Sequence, residues 1–256
     1  RSTRSIIPAT LLLLVMACSA SQEATHVELD VALDDAALEL STNDLGWTVE
    51  LSEVRIAVTD VQFTILGEMH GEVAWLPSWV LGRAWAHPGH YAGGDVTGEL
   101  VGNFIFDWHA EPGKKLGTAE MLTGVYHGIN FTFRTADAGD MLAADDPLLG
   151  HAAHFAGVAS KDGEDIMFTA QIDIEAGAQL VGAPFDDEVS EEHQQTIFLQ
   201  FFTQDHVEDA SLFDGLDFAA FDEDGDGVLA IVPGDVSHNI LRRTLQSHVH
   251  YNAVAR

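Results

Sequence analysis

The chain has a single cysteine, Cys18, in 256 residues. No disulfide can form within it, and thiolate metal sites are excluded from everything that follows Cys18. The fold must be held by its core. Basic residues are also few: 11 Lys and Arg stand against 41 Asp and Glu, for a formal net charge of −30. A field of that sign repels nucleic acid and anionic lipid and attracts cations. Several catalytic signatures are missing. There is no H-E-x-x-H, no G-x-S-x-G elbow, no phosphate-binding glycine loop and no dinucleotide fingerprint. Carboxylates are too many and too scattered for one acid–base pair to stand out. No fixed-period repeat is present.

What the chain does have is histidine. Its 13 histidines outnumber lysine and arginine together. Imidazole is the commonest metal-binding side chain and carries little charge above its pKa. Apolar content is ordinary for a globular protein, so disorder is not expected.

The N-terminus reads as an export signal. Arg1 and Arg4 precede an apolar run, Ile6 to Val15, too short to span a membrane as a mature helix. It ends in "VMAC", Val15 to Cys18, which resembles the lipobox of bacterial lipoproteins. That resemblance implies a signal peptide over 1–17, lipidation at Cys18 and a polar tether over 18–25. The alternative is an ordinary secretory signal cut near Ala20. The expected location is the bacterial cell envelope, periplasm or outer membrane, with membrane contact through the lipid alone.

From 26 to 256 the pattern predicts a single all-β domain, an antiparallel β-sandwich with a C-terminal α-helix. "HVELDVAL" alternates with the period of two expected of a half-buried strand. In "WTVELSEVRIAVTDVQFTIL" the apolar parity shifts from Val54, Ile56 and Val58 to Val61, Phe63 and Ile65, which predicts a bulge near Asp60. Residues 71–102 read as a long excursion between strands. Asp162-Gly163 predicts a hairpin turn. "QTIFLQFFT" suits a strand buried on both faces. The final helix is expected over about 235–250, capped by Asp235, with Val236, Ile240, Leu241 and Leu245 as its apolar stripe.

Two constellations point to metal. Histidines come in close pairs: His87 and His90 around Pro88-Gly89, His151 and His154 before a strand, and His248 and His250 near the C-terminus. Such pairs suit zinc or copper. The leading expectation is a lipid-anchored protein that captures one of these ions through His87, His90, His151 and His154, with His248 or His250 completing the site. A zinc-dependent hydrolase using the same histidines is a further alternative, although catalysis is not the favoured reading. The second constellation is "DEDGDG". Asp222, Asp224, Asp226 and Gly227 match the first six positions of an EF-hand-type loop, in which alternate oxygens wrap a hard cation. The twelfth position is Pro233, and Asp235 stands two residues late as a substitute. Calcium there gives the alternative of a structural or adhesion-type β-sandwich.

"ELSEVRIAVTDVQF" followed by "LTGVYHGINFTF" resembles the MbnP-like proteins, exported copper-binding β-sandwiches, over about residues 45–135. The resemblance implies a β-sandwich, export and copper held by histidines. The chain departs from that pattern in its lack of paired cysteines, in the Pro-Gly-spaced histidine pair and in the "DEDGDG" segment.

Overall fold

Leu29, Val31 and Leu33 are buried along β1 (His26–Leu33), as their alternation requires. The computed structural model describes residues 25–36, 38–65, 95–192, 195–205, 207 and 209–256. After β1 come β2 (Ser41–Thr42), β3 (Thr48–Thr64), β4 (Val96–Asp107), β5 (Lys115–Leu122) and β6 (Gly124–Phe133). Then follow β7 (Ala153–Lys161), β8 (Glu164–Ile172), β9 (Gln179–Val189) and β10 (Thr196–Phe201). The C-terminal part holds α1 (Phe218–Phe221), β11 (Val228–Ile231), α2 (Val236–Leu245) and β12 (Tyr251–Ala255). The fold is all-β with a C-terminal helix. Among the described residues, no helix is long and apolar enough to cross a membrane.

The strands join in one ladder-connected sheet, ordered β11-β8-β7-β3-β4-β5-β1-β10-β12, with β2 on β3 and β6 linking β3 to β9. Pairing is not purely antiparallel as expected. β1 with β10 and β11 with β8 are parallel. Each of these pairs is separated by a long stretch of chain, which a parallel return requires.

β3 organises the rest. Its first half pairs with β7, and its second half pairs with β6. The exchange falls at Ala57, and three residues on, at Asp60, the register slips between Thr59 and Val61 on both the β4 and β6 ladders. Asp60 has φ 49°, and its Oδ1 accepts the Gly102 N–H at 2.9 Å. The bulge lets Val54, Ile56 and Val58 and then Val61 and Phe63 all point inward. The Asp162-Gly163 turn is present, with φ values of 53° and 87°, the double positive φ that a tight hairpin needs.

Aromatic rings fill the centre. Phe106 meets Trp108 and Phe131 edge-on, and Phe131 meets Tyr251 at 5.2 Å between centroids. A second group of Trp47, Phe168, Phe213 and Phe218 packs under α1. Each such ring is worth roughly 1.5–3 kcal/mol of burial.

Four local expectations need correction. β4 begins at Val96, so the predicted excursion over 71–102 overlaps a strand at its end; residues 66–94 lie outside the described residues. β10 buries Ile197, Leu199 and Phe201 while its alternate residues stay half-exposed, so it is buried on one face rather than two. The last helix stops at Leu245 rather than near 250. A 3-10 turn over His248–His250 follows, and then β12 pairs with β10 from Tyr251 opposite Phe201. The gain is the burial of Tyr251 and Ala253. Finally, Val236 is exposed, and the buried face of α2 carries Ser237, His238, Leu241 and Leu245.

Candidate metal centre

The acidic loop is built from both sides. On its N-terminal side, Phe218 is fully buried and α1 runs straight into Asp222, whose N–H donates to the Phe218 carbonyl at 3.0 Å. On its C-terminal side, the Gly227 carbonyl accepts the Met167 N–H at 3.0 Å. β11 then pairs with β8, with Leu229 and Ile231 buried. Between these anchors the chain turns through Gly225 (φ 69°) and Gly227 (φ 79°), backbone that glycine adopts without steric cost.

Asp222 organises the turn. Its Oδ1 accepts the Gly225 N–H at 3.1 Å and its Oδ2 the Gly227 N–H at 2.9 Å. Asp226 Oδ1 accepts from Val228 N–H at 2.9 Å. Asp222, Asp224 and Asp226 bring one carboxylate oxygen each within 4.8 Å of one another. Asp222 is half-buried and the other two are exposed. Such a donor set, all hard oxygen at alternate positions with glycine at the sixth, fits calcium and offers nothing soft enough to favour copper. Pro233 has no side-chain oxygen for the twelfth position, and Asp235 does not join the cluster. Asp235 instead occupies the N-cap position of α2, where its side chain makes no capping bond.

The histidines are dispersed. His87 and His90 lie outside the described residues. His151 precedes β7, and its Nδ1 lies 2.8 Å from Asp173 Oδ1. His154 is buried in β7 opposite Arg55. Its Nδ1 is 3.1 Å from Glu53 Oε2, close enough for an ion pair but outside hydrogen-bond geometry. Arg55 in turn reaches Glu53 and both oxygens of Asp146. Burial, opposed by Glu53, leaves the His154 pKa below its usual value. His248 is half-exposed, and His250 is buried. His250 Nδ1 donates to the Phe202 carbonyl at 3.0 Å, and burial lowers its pKa. The structure brings none of His151, His154, His248 and His250 into a group of three. Among the described residues, the aspartate loop is the only such group of His, Asp or Glu.

Sequence reasoning missed His238. It is buried in α2, with its Nε2 accepting the Asp173 N–H at 3.0 Å. The spacing of α2 placed Val236 rather than His238 inward, so only the register of the helix reveals it. The segments "ELSEVRIAVTDVQF" and "LTGVYHGINFTF" fall on β3 and β6, which pair side by side.

No protein-family model, curated protein or solved structure matches the chain. The site's own chemistry therefore carries the functional reading.

Proposed function

We propose that this chain is a calcium-binding β-domain of the bacterial cell envelope, with the ion held at Asp222, Asp224 and Asp226 in a structural role. The carrying observation is the convergence of three carboxylates within 4.8 Å on a loop fixed at both ends. Without a cation these charges repel. A hard divalent ion reverses the repulsion and fastens α1, β11 and the start of α2 to the edge of the sheet. The lipobox-like "VMAC" supports anchoring through Cys18 and, with it, a position outside the cytoplasm.

A second reading rests on His151. Its Nδ1 is held by the Asp173 carboxylate, an arrangement that orients a metal-binding imidazole and leaves Nε2 for the ion. A zinc or copper ion there takes its remaining ligands from other histidines, His87 and His90 being the sequence candidates.

Thermal unfolding in calcium and in chelator tests the first reading. An ion that binds only the native state adds ~2.7 kcal/mol at a hundredfold excess over Kd, or roughly 5–10 °C for a domain of this size. Equal melting temperatures in the two conditions reject calcium as a structural ion.

A further inference from the structure

α2 is tied to the end of β8 by one bond whose chemistry depends on a proton. Asp173, just past β8, donates its backbone N–H to His238 Nε2 at 3.0 Å. Nε2 accepts, so it carries no hydrogen, and the proton of the neutral ring sits on Nδ1. Nδ1 is buried and makes no hydrogen bond. His238 is 3% exposed. Protonation puts a second hydrogen on Nε2, which then faces the Asp173 N–H donor to donor. It also places a full charge in a site where Nδ1–H has no acceptor.

The surrounding groups do not remove this conflict. Asp173, from the β8 side, attracts the imidazolium, but its carboxylate is engaged by His151 from the β7 side. Within α2, Arg242 repels the charged ring, while the Asn239 side chain and Asp235 favour it. On the third side, the 212–215 loop packs on α2 through the Thr244 hydroxyl, which donates to the Leu212 carbonyl at 2.6 Å, and Asp214 is the ionisable residue of that loop. Burial outweighs the carboxylates and lowers the His238 pKa.

We propose that His238 is an acid-sensitive latch: neutral, it holds α2 against β8, and protonated, it releases the N-terminal half of the helix. β11 lies on the same β8 edge and connects the acidic loop to α2. Release therefore loosens the C-terminal end of the loop. This consequence, acid-promoted loss of calcium, rests on the calcium reading above; the latch itself does not.

Amide hydrogen exchange of the full chain in chelator tests the latch, comparing wild type with His238→Gln. Gln keeps an acceptor near the Nε2 position and does not titrate. After correction for intrinsic rates, wild-type protection at Asp173 and in the first half of α2 is expected to fall about tenfold from about pH 7.5 to about pH 5.5. In His238→Gln it is expected to stay constant. Constant protection in wild type, or an equal loss in the variant, overturns the proposal. Should His238→Gln not fold, NMR titration of wild type decides: the His238 ring and the Asp173 amide must share one midpoint, and separate midpoints overturn the latch. Calcium titration of wild type at the same two pH values then reads the loop separately. No binding at either pH rejects the calcium reading and leaves the exchange result standing.

Discussion

Arg134 and Asp140 face each other through paired contacts, with Nη1 2.8 Å from Oδ2 and Nη2 against Oδ1. Both side chains are largely buried. Arg134 also donates to the carbonyls of Val58 and Phe104, so one guanidinium pins the end of β6 to β3 and β4. The hydrogen bonds from Arg134 hold the Asp140 pKa below its usual value. Arg134→Met removes one partner and strands the other. It is expected to cost about 3–5 kcal/mol, measurable as a lower urea midpoint with an unchanged slope. The double variant Arg134→Met/Asp140→Leu should recover part of that loss.

Gly157 tests the packing of β7 on β3. A Cβ there would lie 2.3 Å from the Glu50 carbonyl oxygen, a backbone atom that cannot rotate away. The site sits beside the register slip between Leu51 and Glu53. Gly157→Ala is expected to destabilise by at least ~1–3 kcal/mol. Gly163→Ala, at a turn with open space around it, should cost less, through backbone strain at φ 87° alone. Similar midpoints for the two variants would contradict the close approach.

Three buried histidines predict a fall in stability on mild acidification. His154, His238 and His250 all have pKa values lowered by burial. An unfolded histidine titrates near ~6.5. Above that pH the rings are neutral in both states and stability is complete. Below it the unfolded chain takes up protons that the fold resists, so stability drops until the folded values are passed. Each ring contributes at most ~1.36 kcal/mol per pH unit in that window. Asp140 acts with the same sign in a lower range: its lowered pKa supplies stability that is present above the usual carboxylate pKa and is lost as pH falls below it. Urea midpoints should therefore fall in two separate steps, one on mild acidification and the other only below the usual carboxylate range. A flat response between pH ~7.5 and ~5.5 would contradict neutral burial of the three rings.

Local features were legible in the sequence because their causes are local. The parity shift around Asp60 and the Asp162-Gly163 pair each act within a few residues, and both stand in the fold. β11 was not legible: Val228–Ile231 is four residues long, and its partner β8 lies far back along the chain. The helix was expected to run on to about 250 because Leu241, Leu245 and His248 keep a helical spacing, although the helix itself ends at Leu245 and β12 was not foreseen. Only pairing with β10 makes Tyr251–Ala255 a strand. The acidic loop was visible as a motif, because alternate residues of one short segment supply all three carboxylates. The network of Glu53, Arg55, Asp146 and His154 was not, since it joins side chains from two stretches of chain far apart in sequence, 53–55 and 146–154.

Direct calcium titration of the full chain, purified without a histidine tag, bears most closely on the acidic loop. Calorimetry should give one calcium per chain, with heat and affinity lost in Asp224→Ala. That residue is exposed, so its loss is expected to leave the fold intact. Zinc or copper uptake, if present, should persist in the variant. Absence of calcium binding by the wild type at millimolar concentration, the weak end of the range such loops cover at ~10⁻³ M, or equal binding by Asp224→Ala, would contradict the assignment of Asp222, Asp224 and Asp226 as a calcium site.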